Sequence, residues 1–451
     1  MRLTTGHTTV VLVALIATGA IADSNLMVAP GDGEFNWQSY NDFSAAYDFT
    51  GDKLSIASPW LGPDAEAAEA VIAYFTAATG AEVSQNGSDS FEQQIVIDTE
   101  AGSPPDIAVF PQPGLACDLA SRGLLVPLGD KTANWMAENY AAGPSWVALG
   151  SCEGVDGFYS FSFNVNVKSL VWYVPENFED AGYDIPETME ELKTLSDQIV
   201  VDGGTPWCIG LGSGGATGWP ATDWVEDMLL RTQTPDVYDQ WVRNEIAFDD
   251  PRIVDAIEEF GAFALNDSYV AGGSGAVAST DFRDSPKGMF ASPPQCYMHR
   301  QASFIPAFFP EGTVVGEEAD FFYFPAYAAQ DLGNPVLGAG TLVSITNDSD
   351  VARGFIEFLK TPIAHEIWMS IETQGFLTPH IGVNPDVYHS DTLRKQGKIL
   401  RDASTFRFDG SDLMPGAIGA GAFWTGMVDY AGGQSAQEVA RQIQNSWTAL
   451  K

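Results

Sequence analysis

The alternation of apolar and polar residues predicts a protein built from strands and helices in turn. Residues 53–58 alternate as a half-buried strand does, and after Gly62 and Pro63 the apolar positions take helical spacing as far as Gly80. Residues 105–110 include a short apolar run that is typical of a buried strand. A strand, a helix and another strand in this order predict an α/β sheet.

Signals for the starts of helices recur along the chain. Residues 90–93 and 188–191 have the form of capping boxes, in which the first and fourth side chains bond to backbone N–H groups of the first turn. Thr361 precedes Pro362, a pair that suits the cap and the first position of a helix. An amphipathic segment follows over residues 436–450. The α/β pattern therefore extends over most of the chain.

The N-terminal residues have the composition of an export signal. Arg2 and polar residues precede an apolar run over residues 10–21, which ends in the small-x-small form of a signal-peptidase site. We expect residues 1–22 to be a signal peptide that is cleaved after Ala22. Residues 23–50 have mixed composition, and we expect them to form an N-terminal extension packed on the first lobe described below.

The export signal predicts a periplasmic protein without a membrane anchor. The apolar run is shorter than the roughly 20 residues that a helix needs to cross a bilayer. A bacterial lipoprotein would carry a cysteine directly after the cleavage site, whereas the first cysteine here is Cys117. We therefore expect the mature chain to be free in the periplasm.

The charge of the chain disfavours two classes of partner. Asp and Glu number 60 against 21 Lys and Arg, which gives a formal net charge of -39. Such a surface repels phosphate backbones and anionic lipid headgroups, so we expect neither nucleic acid nor membrane as a partner. A well-solvated acidic surface explains the charge, and calcium binding is the alternative, although the sequence has no EF-hand type loop.

The four cysteines predict two disulfides, because an even number in an exported chain favours bridges over metal ligation. Three connectivities are possible at this point.

Motifs for catalysis are weak. Residues 365–369 begin like the HExxH zinc motif but place methionine where the second histidine is required. Residues 210–215 match GxGxxG, yet an exported chain has little access to dinucleotides, and we interpret them as a flexible ligand-binding loop. Glycoside hydrolysis needs two spaced carboxylates, which occur by chance among so many acids. We expect no catalytic residues, no cofactor and no metal.

An ordered series of short segments resembles the family 1 extracellular solute-binding proteins of ABC sugar importers, including the α-glucoside-binding and maltose-binding periplasmic proteins. The segments are FTAATG at 75–80, AGSPPDI at 101–107, SRGLLVPL at 121–128, SLVWY at 169–173, FEDAG at 178–182, WPATDW at 219–224, KGM at 287–289 and GAFWT at 421–425. Each segment is weak alone, and the specificity lies in their order over residues 53–450.

The resemblance implies an α/β fold of two lobes with a hinge and an interlobe ligand cleft. The first lobe would comprise residues 51–165 and 335–395, and the second lobe residues 166–334 and 396–451. Because each pair then falls within one lobe, the pairing Cys117–Cys152 and Cys208–Cys296 is favoured. The resemblance also implies ABC transporter permease subunits with a cytoplasmic ATPase as partners, and we expect the receptor itself to be a monomer.

Candidate ligand-binding residues combine flat rings with polar groups, which suit the apolar face and the hydroxyl rim of a sugar. Trp60, Asp64 and Gln112 follow predicted strands, where α/β sheets hold ligands. Trp424 lies where maltose-binding proteins place a stacking tryptophan. The remaining candidates are Trp219, Trp224 and Tyr297.

Each candidate also has a purely structural explanation. Any one of 12 tryptophans can serve core packing, and Trp224 suits the core face of a helix. Asp64 can offset a helix dipole. The family members often carry tryptophan within residues 294–297, where this chain has Tyr297, so the stacking contact there is in doubt.

The sequence therefore predicts a periplasmic receptor that closes its two lobes on a neutral oligosaccharide. An α-glucoside such as sucrose, maltose or trehalose is favoured. The alternatives are a receptor of the same fold for a polyol or another solute, and a secreted glycoside-active enzyme.

Overall fold

The computed structural model describes residues 26–141, 143–371, 375–388 and 390–450. The predicted signal peptide, residues 1–22, lies outside these ranges. Within them, no helix has the length and apolar character that crossing a membrane requires.

Strands and helices alternate over the first part of the chain, as predicted. The strands are β1 (Lys53–Ser58), β2 (Glu82–Gly87), β3 (Ile107–Phe110), β4 (Ser151–Cys152), β5 (Val155–Phe158), β6 (Ser160–Val167), β7 (Leu170–Tyr173), β8 (Met298–Arg300), β9 (Asp320–Tyr323), β10 (Pro335–Ile345) and β11 (Thr405–Phe408).

The α-helices are α1 (Trp37–Ala46), α2 (Pro63–Thr79), α3 (Phe91–Glu100), α4 (Pro113–Ser121), α5 (Asp130–Asn139), α6 (Gly143–Gly150), α7 (Pro175–Ala181), α8 (Met189–Val201), α9 (Trp219–Thr232), α10 (Pro235–Val242), α11 (Pro251–Ala264), α12 (Asp350–Leu359), α13 (Pro362–Met369), α14 (Asp391–Asp402), α15 (Gly410–Leu413), α16 (Trp424–Ala431) and α17 (Ala436–Leu450). Short 3₁₀ helices include Gly214–Ala216 and Ile305–Phe308, and Ala417–Phe423 form a π-helix.

The larger sheet has the strand order β11-β10-β3-β1-β2, and β6 pairs with β10 outside this path. Strand β1 is parallel to both β2 and β3, whereas β10 is antiparallel to β3 and β6. Because β1, β2 and β3 run the same way, their carboxyl ends meet at one edge, where ligands of open α/β sheets bind. A smaller sheet has the order β8-β7-β9.

Two hydrophobic cores divide the molecule into lobes. The first lobe is built around the core that β1, α2, α12 and α13 form. The second lobe is built around the core that α8, α9, α11 and α17 form. Strands β6 and β10 pass between them: Val165 and Val343 belong to the first core, whereas Leu337 belongs to the second. The predicted two-lobed α/β fold is therefore confirmed.

The described part of the N-terminal extension packs on the first lobe. In α1, Tyr40 and Phe43 are buried, and the ring of Phe43 lies 5.1 Å from that of Phe358. The hydroxyl of Tyr74 in α2 donates a 2.7 Å hydrogen bond to the carbonyl of Val28. These contacts make the segment part of the first lobe's core.

The predicted capping boxes have different outcomes. Thr188 is the N-cap of α8 and accepts a hydrogen bond from the N–H of Glu191, as predicted. Ser90 is the N-cap of α3, but its side chain makes no capping bond, so that part of the prediction was wrong. The N–H of Ser90 instead donates to the hydroxyl of Ser88 at 3.0 Å.

Both disulfides join the pairs that were favoured above. Cys117 and Cys152 have their Cα atoms 5.3 Å apart, and Cys208 and Cys296 have theirs 5.5 Å apart. The first bridge lies beside the apolar cluster under α3 and α4, and the second is buried in a cluster with Trp172. Neither bridge crosses between the lobes.

Removing a bridge should destabilise the protein according to the loop that it closes. Cys208 and Cys296 are 88 residues apart, so their bridge closes a long loop. Replacing both by serine should lower the free energy of unfolding by about 4.5 kcal/mol. The matched pair Cys117→Ser and Cys152→Ser opens 35 residues, for about 4 kcal/mol. Denaturant unfolding measures both values. Titratable free thiols in the oxidised, folded protein would contradict the pairing.

Candidate functional site

A cavity of about 150 Å³ lies between the two lobes. On the first lobe it is lined by the residues that follow the three parallel strands: Trp60 and Asp64 after β1, Asp89 after β2 and Gln112 after β3. The sheet edge therefore positions these side chains, because each strand ends where the next segment turns away.

The second lobe supplies the opposite wall from segments that are distant in sequence. This wall combines aromatic and polar residues: Ser213, Trp219, Phe282, Arg283, Phe304, Phe308, Asp409, Ser411, Asp412 and Trp424. The connection between the lobes adds Asn166 of β6, Lys168 directly after β6 and Thr341 of β10. The site is thus assembled from both lobes and from the strands between them.

Three of the predicted tryptophans surround this cavity. Trp60 is buried and packs with its ring 5.0 Å from that of Trp368. Trp219, at the start of α9, lies 4.9 Å from the ring of Phe282 and 5.4 Å from the Lys168 Nζ atom. Trp424 starts α16 and is 3 % exposed. Flat apolar surfaces therefore line both sides of the space.

Several buried polar atoms in the cavity wall have no hydrogen-bond partner in the described part of the chain. They are the acceptors Gln112 Oε1 and Asn166 Oδ1 and the donor Trp424 Nε1. These residues are 4 %, 5 % and 3 % exposed, respectively. A buried unsatisfied polar group costs about 1 to 3 kcal/mol, so a ligand with hydroxyl groups would offset this cost.

Two predicted residues lie away from the cavity. Trp224 is 2 % exposed and packs in the core of the second lobe, with its ring 5.4 Å from those of Trp207 and Phe263. Tyr297 is outside the cavity lining and packs against the same core, with its ring 5.5 Å from that of Tyr183. The structure therefore brings together five of the seven predicted residues, and it places Asp64 in the first turn of α2.

The floor of the cavity is a buried network of charges. Lys168 Nζ donates a 2.8 Å hydrogen bond to Asp223 Oδ1 and a second bond to Asp409 Oδ2. Glu226 accepts 2.9 Å bonds from the N–H groups of Gly410 and Ser411, at the start of α15. The network therefore ties α9 and α15 to the end of β6.

Burial and charge pairing set the proton affinities in this network. Burial raises the pKa of Asp223 to about 8. Burial alone would raise the pKa of Asp409 as well, but the Lys168 ammonium outweighs it and holds that pKa below the usual range. Burial also raises the pKa values of Glu226 and Asp412 well above their usual ones.

Within the described residues, the side chains that could supply three metal ligands are Asp223, Glu226 and Asp409, whose oxygens lie within 4.8 Å of one another. The ammonium of Lys168 already bonds to two of these carboxylates. The group therefore has its cation in the chain itself.

Contacts between the lobes close one side of the cavity. Arg283 of the second lobe donates a 2.6 Å hydrogen bond to Asp89 of the first lobe. Gln93 Nε2 donates to the carbonyl of Gly215 at 3.3 Å. Gly214 has a φ of +55°, and a Cβ atom there would lie 2.6 Å from Asp89, so the close approach needs glycine. The GxGxxG-like loop thus meets the first lobe.

Glu92 is a cavity residue that sequence reasoning missed. It occupies the first turn of α3, is 7 % exposed and accepts a 3.2 Å hydrogen bond from Gln112 Nε2. Burial raises its pKa to about 7. The capping sequence at residues 90–93 placed Glu92 in the first turn of a helix, but the sequence does not show that this turn faces the cavity.

Other missed residues carry no local signal. Lys168 follows β6, whereas Asp409 and Asp412 lie together in the segment after β11, and only the pairing of β10 with β6 and β11 brings the two segments together. Arg283, Phe304 and Phe308 likewise carry no local signal; the rings of Phe304 and Phe308 both pack against Phe282, at the cap and the end of a short 3₁₀ helix.

Two α/β lobes with a polar and aromatic cavity between them define a binding protein for a small solute. The family model "bacterial extracellular solute-binding protein" matches residues 59–366. The chain is 62% identical over 433 residues to the alpha-glucosides-binding periplasmic protein AglE of Rhizobium meliloti, covering 95% of this chain and 94% of that one. The chain therefore belongs to the bacterial extracellular solute-binding protein family.

A second relative and a solved structure agree with this assignment. The osmoprotective compounds-binding protein GgtB of Synechocystis is 41% identical to this chain over 396 residues. The match covers 88% of this chain and 92% of GgtB. The bacterial solute receptor AcbH, at 17% identity, superposes with a TM-score of 0.76 over 88% of this chain and 99% of its own. At that identity the superposition shows the shared fold.

Replacing Glu92 should change how stability depends on pH. Its folded pKa of about 7 exceeds the ordinary 4.5. The stability that its carboxyl contributes is therefore complete below pH 4.5 and is lost as the pH rises through about 7. The wild-type free energy of unfolding, relative to Glu92→Gln, should fall by about 3 kcal/mol between pH 5 and pH 8.

Denaturant unfolding at the two pH values measures this difference. The matched control is Glu69→Gln, which removes an exposed carboxyl from α2. It should leave the pH dependence of the wild type unchanged. A Glu92→Gln variant with the same pH dependence as the wild type would contradict the assigned burial.

Proposed function

We propose that this protein is the periplasmic substrate-binding protein of an ABC importer and that its ligand is a neutral α-glucoside. The observation that carries the proposal is the cavity between the lobes, where tryptophan rings stand beside buried polar atoms without partners. Sugars match this arrangement because their C–H faces pack on rings while their hydroxyls both donate and accept hydrogen bonds.

The relatives support the ligand class. AglE, at 62% identity, is described as binding alpha-glucosides, and sucrose, maltose and trehalose are therefore the first candidates. The description of GgtB as binding osmoprotective compounds supports a small solute, including a polyol, as the second candidate.

The lobe boundaries predicted above, with the hinge between them, form part of this proposal. Residues from both lobes line the cavity, so a bound solute would stabilise the closed arrangement over an open one. The contact between Arg283 and Asp89 would then form on closure and break on release. Trp60, Asp64, Gln112, Trp219 and Trp424 are the proposed ligand contacts.

The mature protein would act in the periplasm after cleavage at Ala22, as a monomer that delivers solute to permease subunits driven by a cytoplasmic ATPase. It would be a receptor and not an enzyme, because an importer requires intact solute. The relatives are solute-binding proteins, which supports this interpretation.

The binding of one or more of these sugars should be micromolar or tighter, about -8 kcal/mol or better. Trp424→Phe keeps an aromatic ring but removes the unpartnered indole N–H, and should weaken binding about fivefold or more. Calorimetry with sucrose, maltose and trehalose measures both effects.

The matched control is Trp37→Phe, in the N-terminal segment and outside the cavity lining. It should bind as the wild type does. Wild-type affinity in a folded Trp424→Phe variant would contradict the ligand contact. Binding of polyols in place of all three sugars would favour the second candidate.

Bound sugar should be recovered intact. Incubation of the protein with excess maltose, sucrose or trehalose, followed by chromatography, should return the starting sugar quantitatively. Catalytic formation of glucose from any of them would move the protein to the enzyme class and contradict the proposal.

A further inference from the structure

The charged side chains that line the cavity are not balanced. Its two bases are already paired: Lys168 bonds to Asp223 and Asp409, and Arg283 bonds to Asp89. Arg283 also lies 3.3 Å from a second carboxylate, that of Asp281. Among the described residues, neither base forms a salt bridge with Glu92 or Asp412.

Two buried cavity acids, Glu92 and Asp412, form no salt bridge in the described part of the chain. The charge of Lys168 acts on Asp412, but its ammonium bonds to Asp223 and Asp409. Glu92 receives a hydrogen bond from Gln112 Nε2, and Asp412 is tied to Asp409 through its backbone N–H. Glu92 and Asp412 line the same cavity. Burial raises the pKa of Asp412, with smaller contributions from Asp409, Asp223 and Glu92, while the charge of Lys168 lowers it.

The neutral polar groups add to this surplus of acceptors. Among the described residues of the cavity wall, Gln112 Oε1 and Asn166 Oδ1 are more than nine-tenths buried and have no hydrogen-bond partner, and Trp424 Nε1 is a donor without one. An ammonium group has three N–H donors and no acceptor, and it would supply the positive partner for the buried carboxyls of Glu92 and Asp412.

We propose that the cavity also binds cationic glycosides, with a protonated amine of the sugar placed against Glu92 and Asp412. This proposal rests on the proposed function, because the rest of the ligand must be a sugar that fits the cavity. A metal ion is a poorer match, since the three-carboxylate group in the described residues is that of Asp223, Glu226 and Asp409, without Glu92 or Asp412.

The test compares each neutral sugar with its monoamino derivatives, in which one hydroxyl is replaced by an ammonium group. Calorimetry of the mature protein at pH 7 uses sucrose, maltose and trehalose and their derivatives. At least one derivative should bind about tenfold or more tightly than its parent, because a hydrogen bond to a charged group exceeds one between neutral groups. If every derivative binds no more tightly than its parent, the proposal is wrong.

Variants locate the effect. Asp412→Asn and Glu92→Gln should each reduce the ratio of amino-sugar to parent affinity by about tenfold, and because the ratio is taken within one variant, partial unfolding cancels. Glu311→Gln removes an exposed carboxyl outside the cavity and should keep the wild-type ratio. A ratio that survives both cavity variants would overturn the proposal.

The outcomes also separate this inference from the proposed function. Binding of the parents without preference for the amines contradicts only the cationic ligand. Binding of amines alone supports the cationic ligand and contradicts the neutral one. Binding of neither set contradicts both.

Discussion

The bond between the Lys168 ammonium and the carboxylates of Asp223 and Asp409 is the interaction on which the arrangement of the cleft depends. Lys168 directly follows β6, and its N–H donates to the carbonyl of Leu337 in β10 at 2.8 Å. The N–H of Asp409 donates to Gly338 in the same strand, also at 2.8 Å. One buried side chain thereby joins both strands that connect the lobes to α9 and α15. Removing one partner of such a pair costs about 3 to 5 kcal/mol.

The same network explains the chemistry of the cavity floor. Ser411 and Asp412 face the cavity because Asp409 and Glu226 hold the first turn of α15 through its backbone N–H groups. Lys168 and Arg283 form salt bridges with carboxylates of the protein. The groups that remain for a solute are aromatic faces, amide oxygens and carboxyls. This composition suits a ligand that is rich in hydroxyl donors and disfavours an anionic one.

Local features of the chain were predictable from short-range rules. Strand β1 and helix α2 follow the expected periods. The cap of α8 was predictable because the hydroxyl of Thr188 bonds to an N–H only three residues further along the chain. Trp60 and Gln112 were found because the carboxyl end of a parallel strand is where α/β folds hold ligands. The two-lobed architecture and the disulfide pairing came from resemblance to a family, since spacing alone left three connectivities open.

The rest depended on contacts between distant segments. Trp219 and Trp224 lie on the same helix, yet Trp219 lines the cavity and Trp224 packs against Trp207 and Phe263. The sequence allowed both a ligand contact and core packing for Trp224, and only the structure shows which face of the helix it occupies. Glu92, Lys168 and Asp412 become neighbours of one cavity only when the lobes meet. The chain alone determined the periodicity of the strands and helices. Which acid is buried, which base it meets and which atom is left unpaired are decided by tertiary packing, because burial and pairing energies depend on three-dimensional distance and not on position along the chain.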